Sequence, residues 1–157
     1  GPLVKERSVL CPLRAVGCPR KPLGRGPAET VKGWEREGII EDLGVTRDVR
    51  PYVGQANVVV LPSWREGLPC SLMEAMSMGR PIVATDVPGC RDVVVDGKNG
   101  FLVPVRTPEA LAKALESFLE DSALTARMGK EGRFIAETEL DARKAADLIL
   151  SVMKLVS

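Results

Sequence analysis

"NVVVLPSWREGLPCSLMEAMSMGRPIVATDV", residues 57–87, holds two apolar runs separated by a helix-like segment, and that order decides the fold. The first run, within Asn57–Ser63, is uninterrupted up to Pro62, the pattern of a strand buried on both faces. A second such run extends from Pro81 to Thr85. Between them, "PCSLMEAMSMG" places apolar residues at Leu72, Ala75, Met76 and Met78 and stops at Gly79, which predicts a helix. Strand, helix and strand in that order make a βαβ unit, and hence a parallel sheet.

The pattern continues on both sides. "GCRDVVVDGKNG" (89–100) reads as a helical turn followed by a Gly-rich turn, and "GFLVPV" (100–105) as a third strand. "TPEALAKALESFLED" (107–121) predicts a helix with Thr107 as N-cap and Pro108 at its first position. Its apolar stripe is Leu111, Leu115, Phe118 and Leu119. Two more helices are expected over Ala123–Glu137 and Asp141–Val156. Upstream, a short strand is expected near Ile39–Glu41 with a turn at Gly44, then a short helix around Val49–Gln55. The class is α/β: a Rossmann-like parallel sheet flanked by helices, with extra C-terminal helices. The start differs. Seven of the nineteen residues from Leu10 to Ala28 are Gly or Pro, with neither helical nor strand period. Residues 1–30 are therefore expected to be an irregular Gly/Pro/basic segment, a loop or poorly ordered arm, preceding a domain over residues 31–157. A basic arm that grips phosphate is the functional alternative.

Composition bounds the function. With 157 residues, 45% hydrophobic and 27% charged, the chain can build one globular core. A net charge of +1 argues against a dedicated nucleic-acid surface. Residues 1–25 carry six Lys or Arg against one acid, so the basic excess is confined to the start. There is no apolar run long enough for a membrane span and no apolar signal core at the start, so a cytoplasmic location, peripheral at a membrane at most, is expected. With no histidine, His-based acid–base chemistry and His metal ligands are excluded within the chain. Cys11, Cys18, Cys70 and Cys90 show no CxxC spacing, so reduced thiols rather than a zinc site are expected.

Two carboxylates, Glu66 and Glu74, lie eight positions apart with Gly67 and Pro69 between them. Glu66 falls in the loop after the first strand, where open parallel sheets bind ligands. The helix opening at Pro69 or Cys70 offers free N–H groups to an anion such as a diphosphate. Gly67 lets the backbone approach closely, and Glu74, a turn into the helix, can accept from vicinal ribose hydroxyls. Together these would hold a nucleotide sugar. Ser71-Leu72-Met73-Glu74 also fits a capping box, in which Glu74 only satisfies a backbone N–H, and Glu66 could be a solvated loop acid. Spacing leaves both readings open.

"LPSWREGLPCSLMEAMSMGRPIVATDVPGCRDVVVDGKNGFLVP" closely resembles the C-terminal, donor-binding domain of retaining GT-B glycosyltransferases, the group 1 family, whose Glu-x7-Glu motif appears as Glu66 and Glu74. The resemblance covers about residues 37–155. It implies one half of a GT-B fold that transfers a hexose from a UDP- or GDP-linked donor with retention and without metal or other cofactor. Glu66 would lie beside the transferred sugar and support charge at the anomeric carbon. Gly67, Leu68 and Pro69 would present backbone groups to sugar and diphosphate, and Glu74 would hold the ribose. The implied partners are the nucleotide sugar, an N-terminal acceptor domain, and an acceptor glycan or lipid-linked sugar.

The start departs from the family pattern "GRL…KG": in "GPLVKERSV", Pro2 stands where Arg is usual and Arg7 where Lys is usual. Arg7 can still pair with phosphate; Pro2 cannot. The first strand–helix–strand is expected to be lost or scrambled, and nothing here resembles the acceptor domain. The chain is thus expected to be incomplete and inactive alone. The alternative is a truncated, catalytically inactive nucleotide-binding or interaction module, and a nucleotide-sugar epimerase is a third, weaker reading.

Overall fold

The structure, a computed structural model, describes residues 13–17 and 28–140, with side chains from Lys32 onward. Arg7, Pro2 and the helix expected over 141–156 lie outside the described residues. The chain divides into two compact units, Gly1–Tyr52 and Val53–Ser157.

In the first unit, strand β1 (Leu13–Gly17) pairs in parallel with β2 (Ile40–Val45), and helix α1 (Ala28–Arg36) connects them. This corrects the expectation of an irregular start, at least for Leu13–Gly17. The first strand and following helix expected to be lost lie outside the described residues. Five residues flanked by Cys-Pro on both sides are too few to show a period, so the strand was invisible to pattern reading. The turn expected at Gly44 is a kink inside β2. Gly44 has φ +70°, its N–H donates to Asp42 Oδ1 at 2.8 Å, and the β1–β2 register shifts beside it. The short helix α2 (Arg50–Val53) follows.

The second unit carries a parallel sheet in the order β3 (Val59–Leu61), β4 (Ile82–Thr85), β5 (Gly100–Val103). Helix α3 (Cys70–Ser77) connects β3 to β4, the short helix α4 (Pro88–Arg91) follows β4, and α5 (Pro108–Glu120) and α6 (Ser122–Glu139) complete the unit. β4 is central and wholly buried, so its alternating side chains serve two cores. Ile82 and Ala84 pack with Leu72, Ala75 and Met76 of α3 and with Ile135 and Ala136 of α6. Val83 packs with Val103, with Ala114 and Phe118 of α5 and with Met128 of α6. Phe101 and Phe118 add a tilted ring contact at 5.2 Å. Each fully buried Leu, Ile or Val here contributes roughly 1.5–3 kcal/mol of hydrophobic stabilisation.

Three expectations need correction. The "NVVVLPS" strand is half-buried rather than buried on both faces, because β3 is an edge strand of its sheet. Thr107 stands at the N-cap of α5 but makes no capping bond, since its hydroxyl donates to Val105 O at 3.3 Å instead. Leu119 is 76% exposed. Thirteen helical residues turn Leu119 past the edge of the stripe that Phe118 ends.

Candidate functional site

The site loop, Ser63–Pro69, leaves the carboxyl end of β3 and opens α3. Pro69 occupies the N-cap position of α3 and has no side chain that can accept, so no side chain caps this helix. Ser71 is the second helical residue. A capping box needs Ser71 at the N-cap, so the structure removes that role from Glu74. Glu74 is instead the fifth residue of α3, on its exposed face, while Leu72, Ala75 and Met76 face the core.

Glu66 is half-buried, and its charge lies close enough to the buried Cys90 to act on it. Burial pushes the Cys90 thiol pKa up, and the carboxylates of Glu66 and Asp86 push it further the same way. Asp86, just past β4, is held by Arg91 at 2.5 Å, and that hydrogen bond lowers its pKa. Leu68 is exposed, and Pro69 is buried.

The loop is fixed from two sides. Thr85, at the end of β4, is buried, and its hydroxyl donates to Ser63 O and, at 3.5 Å, to Leu61 O. Gly89, in α4, lies against the loop backbone: a Cβ there would stand 1.7 Å from Gly67 O and 2.7 Å from Glu66 O. Gly67 itself is the opposite case, since a Cβ on it would meet nothing within 4 Å and its φ is not in the left-handed region. The fold therefore makes no demand for glycine at 67.

Helix α3 is anchored underneath. The fully buried Asn99 accepts from Val95 N–H at 2.8 Å through Oδ1, and its Nδ2 donates to Val93 O at 3.1 Å and Met76 Sδ at 3.4 Å. The helix ends at Gly79, φ +67°, and Arg80 donates to Gly54 O at 2.5 Å. Among the described residues no group of three His, Cys, Asp or Glu side chains could hold a metal ion, and no helix is long and apolar enough to cross a membrane.

Glu66, Gly67, Leu68, Pro69 and Glu74 thus occupy one loop and the helix it opens, as expected, and Arg7 lies outside the described residues. Sequence reasoning missed Thr85, Gly89 and Asn99. A polar residue ending an apolar run, a glycine directly after Pro88, and an Asn within "GKNG" were the available signals. Chemically, the arrangement offers two acceptor carboxylates flanking an uncapped helix start, with an open backbone face at Gly67 between them.

A model of the family described as "Glycosyl transferases group 1" matches residues 2–121. D-inositol 3-phosphate glycosyltransferase of Streptomyces avermitilis is 37% identical over 117 residues, covering 67% of this chain and 25% of that protein. A putative glycosyltransferase, EpsD, of Bacillus subtilis is 33% identical over 105 residues, covering 67% of this chain and 28% of that protein. Sucrose-phosphate synthase from Thermosynechococcus elongatus is similar in structure with a TM-score of 0.78, 27% identity, and coverage of 92% of this chain and 38% of that one. HepE from Anabaena, solved in complex with UDP, gives a TM-score of 0.75 at 25% identity, covering 80% of this chain and 36% of that one. The chain therefore spans between a quarter and two-fifths of the length of these proteins.

Proposed function

The chain belongs to the group 1 glycosyl transferase family, and on that premise we propose that it is the donor-binding part of a retaining glycosyltransferase. Its fold, a parallel sheet flanked by helices, is one half of the GT-B architecture. In this reading the chain holds a UDP- or GDP-linked hexose, and an N-terminal domain supplies the acceptor site for a glycan or lipid-linked sugar. Glu74 accepts from the ribose hydroxyls. The start of α3 and the Gly67–Leu68–Pro69 backbone face the diphosphate, with Arg7 as a further phosphate contact. Glu66 stands beside the hexose and stabilises positive charge that develops at the anomeric carbon. Positive groups and the helix end neutralise the diphosphate, so the reading carries no metal or cofactor requirement. The two free, unbridged thiols described, Cys70 and Cys90, suit a reducing compartment, and we place the protein in the cytoplasm, at the membrane surface when its acceptor is lipid-linked.

One observation carries the proposal. Ser71 lies inside α3, so Glu74 has no capping role and presents its carboxylate outward, one loop away from Glu66. Calorimetric titration of the chain with UDP, GDP and their hexose conjugates tests it, with Glu74→Ala alongside. The expected result is saturable binding weakened by about 1–3 kcal/mol in the variant, the scale of a lost charge-assisted hydrogen bond, with the thermal midpoint unchanged. A variant that loses stability and keeps its affinity would return Glu74 to a structural role. A chain that binds nucleotide yet transfers nothing when joined to an acceptor domain would be the inactive binding module instead.

A further inference from the structure

The loop that carries Glu66 is held by one short stretch of chain. The main-chain ladder between β3 and β4 ends at the pair Leu61–Ala84. Thr85 comes next on β4 and is buried, and its side chain extends the connection that the backbone stops making. The hydroxyl reaches the carbonyls on either side of Pro62, Leu61 O at 3.5 Å and Ser63 O nearer by. A hydroxyl has one proton to donate, and the nearer Ser63 O takes it. Four residues further on, Gly89 brings α4 against Glu66 O and Gly67 O. Residues 85–89 thus grip the loop at Ser63 and at Gly67, and Glu66 stands between the two grips.

The two grips differ in kind. Gly89 sets how closely the loop can approach, whereas Thr85 ties it down. Packing alone does not ask for a hydroxyl at residue 85. Thr85 shares a face of β4 with Val83, which meets Val103, Phe118 and Met128, and Pro104, Val105 and Leu111 lie around Thr85 itself. Valine has the shape of threonine and would fill that place with no buried polar group to satisfy. What threonine adds is a directed bond to the first residue of the site loop, and a hydrogen bond fixes position where burial, being non-directional, does not.

We propose that Thr85 is a positioning residue for Glu66: by holding Ser63 O, it sets where the Glu66 carboxylate stands against the hexose of the donor. Three residues lead from Ser63 to Glu66, about 10 Å of chain at full extension. So short a span, stopped at its far end by Gly89, passes a shift at Ser63 on to Glu66. Glu74 is secured separately, because α3 is anchored by Asn99 at Met76 and by Arg133, which donates to Ser77 O. Thr85 therefore matters to the hexose and not to the nucleotide. That consequence rests on the donor reading above; the tether itself does not.

The test compares Thr85→Val, which removes the proton and keeps the shape, with Thr85→Ser, which keeps the proton and removes a methyl. Thr85→Ala against Thr85→Ser repeats the comparison should the valine chain fail to fold. The first readout needs no ligand. Amide hydrogen exchange at residues 64–68 of the free chain should be about tenfold faster in Thr85→Val, the scale of one hydrogen bond, and as in the parent in Thr85→Ser. The second is titration with UDP and UDP-glucose, and with GDP and GDP-mannose. Nucleotide affinity should be unchanged in Thr85→Val, the affinity added by the hexose should fall about tenfold, and Thr85→Ser should restore it. Parental loop exchange in Thr85→Val would overturn the tether. Equal effects of valine and serine would make the side chain a packing element. Equal losses of nucleotide and hexose affinity would make it a general support of the fold. A parent chain that binds none of the four ligands would refute the donor reading and the part given to Thr85 in it, while the exchange result would still decide whether Thr85 holds the loop.

Discussion

Gly89→Ala tests whether the site loop is held by backbone contact. In the structure a Cβ at residue 89 would lie 1.7 Å from Gly67 O, where contacts under 3.0 Å are essentially never seen. The obstructing atoms are backbone, so they cannot rotate away as a side-chain tip would. Either α4 or the Glu66–Gly67 loop must retreat by about 1.3 Å, the gap between those two distances. α4 is tied by the Asp86–Arg91 pair and by the buried Cys90, whereas Gly67 is exposed, so the loop is the part that moves. Overpacking of this kind costs about 1–3 kcal/mol of stability. Its effect on chemistry is of comparable size, because a misplacement of about 1 Å can cost on the order of a hundredfold in rate. Glu74, on α3 and anchored through Met76 to Asn99, should stay in place. The assay is titration with the nucleotide selected above and with its hexose conjugate, followed by transfer in an enzyme joined to its acceptor domain. The nucleotide alone should bind nearly as before, the extra affinity from the hexose should vanish, and transfer should fall about a hundredfold. A folded Gly89→Ala protein with unchanged hexose affinity and unchanged transfer would refute the reasoning.

Three further outcomes follow from the same geometry. Glu66→Gln should nearly abolish transfer in the joined enzyme while leaving the unfolding midpoint in place, as thermal melts and turnover measured together will show. Gly67→Ala should leave stability unchanged or raise it by about 0.4–1 kcal/mol, since its Cβ meets nothing and the unfolded chain loses freedom; donor affinity should nevertheless fall, and a variant with full affinity would end the idea that the backbone there approaches a ligand. Cys90 predicts a pH dependence. Its folded pKa is raised by burial first and then by Glu66 and Asp86, from an ordinary value near 9.0. Below that value both folded and unfolded chains keep the proton, so nothing is lost. Above it the unfolded chain releases the proton first, and stability declines as pH rises. Denaturant melts between pH 8 and 10.5 should therefore show a shallower alkaline decline in Cys90→Ala than in the parent.

Much of this was legible in the sequence because burial and connection order leave period and punctuation behind. Val83 and Ile82 had to be apolar on both faces of a central strand, and Gly79 and Pro108 mark helix ends by their backbone preferences. The positions of Glu66 and Glu74 relative to β3 and α3 followed from that framework. What was not legible depends on which of two compatible bonds forms. Ser71 and Thr107 both suit an N-cap, yet the chain enters α3 one residue past Pro69, and the Thr107 hydroxyl turns back to Val105 O. Local chemistry allows either outcome, and tertiary packing selects one. β1 was hidden for a different reason: its pairing with β2 is non-local, and five residues carry no readable period.

The glycines separate what the fold needs from what a ligand needs. A Cβ on Gly100 would stand 2.2 Å from Ile82 O, one on Gly129 2.2 Å from Gly79 O, and one on Gly89 1.7 Å from Gly67 O. Each of these three lets backbone touch backbone: β5 against β4, α6 against the end of α3, and α4 against the site loop. They are used up by the protein's own packing, and a side chain at any of them must displace main chain. Gly67 stands in the middle of the same network with an ordinary φ and open space where its side chain would be. Neither conformation nor packing accounts for a glycine there. The proposed donor, lying against the backbone between the two glutamates, would account for it, on a loop that Thr85 and Gly89 hold at the carboxyl end of the sheet. Substituting alanine at Gly67 and at Gly89 in parallel therefore separates the two causes. The first should cost affinity without stability, the second both, and the reverse order would show that the open face at Gly67 belongs to no ligand.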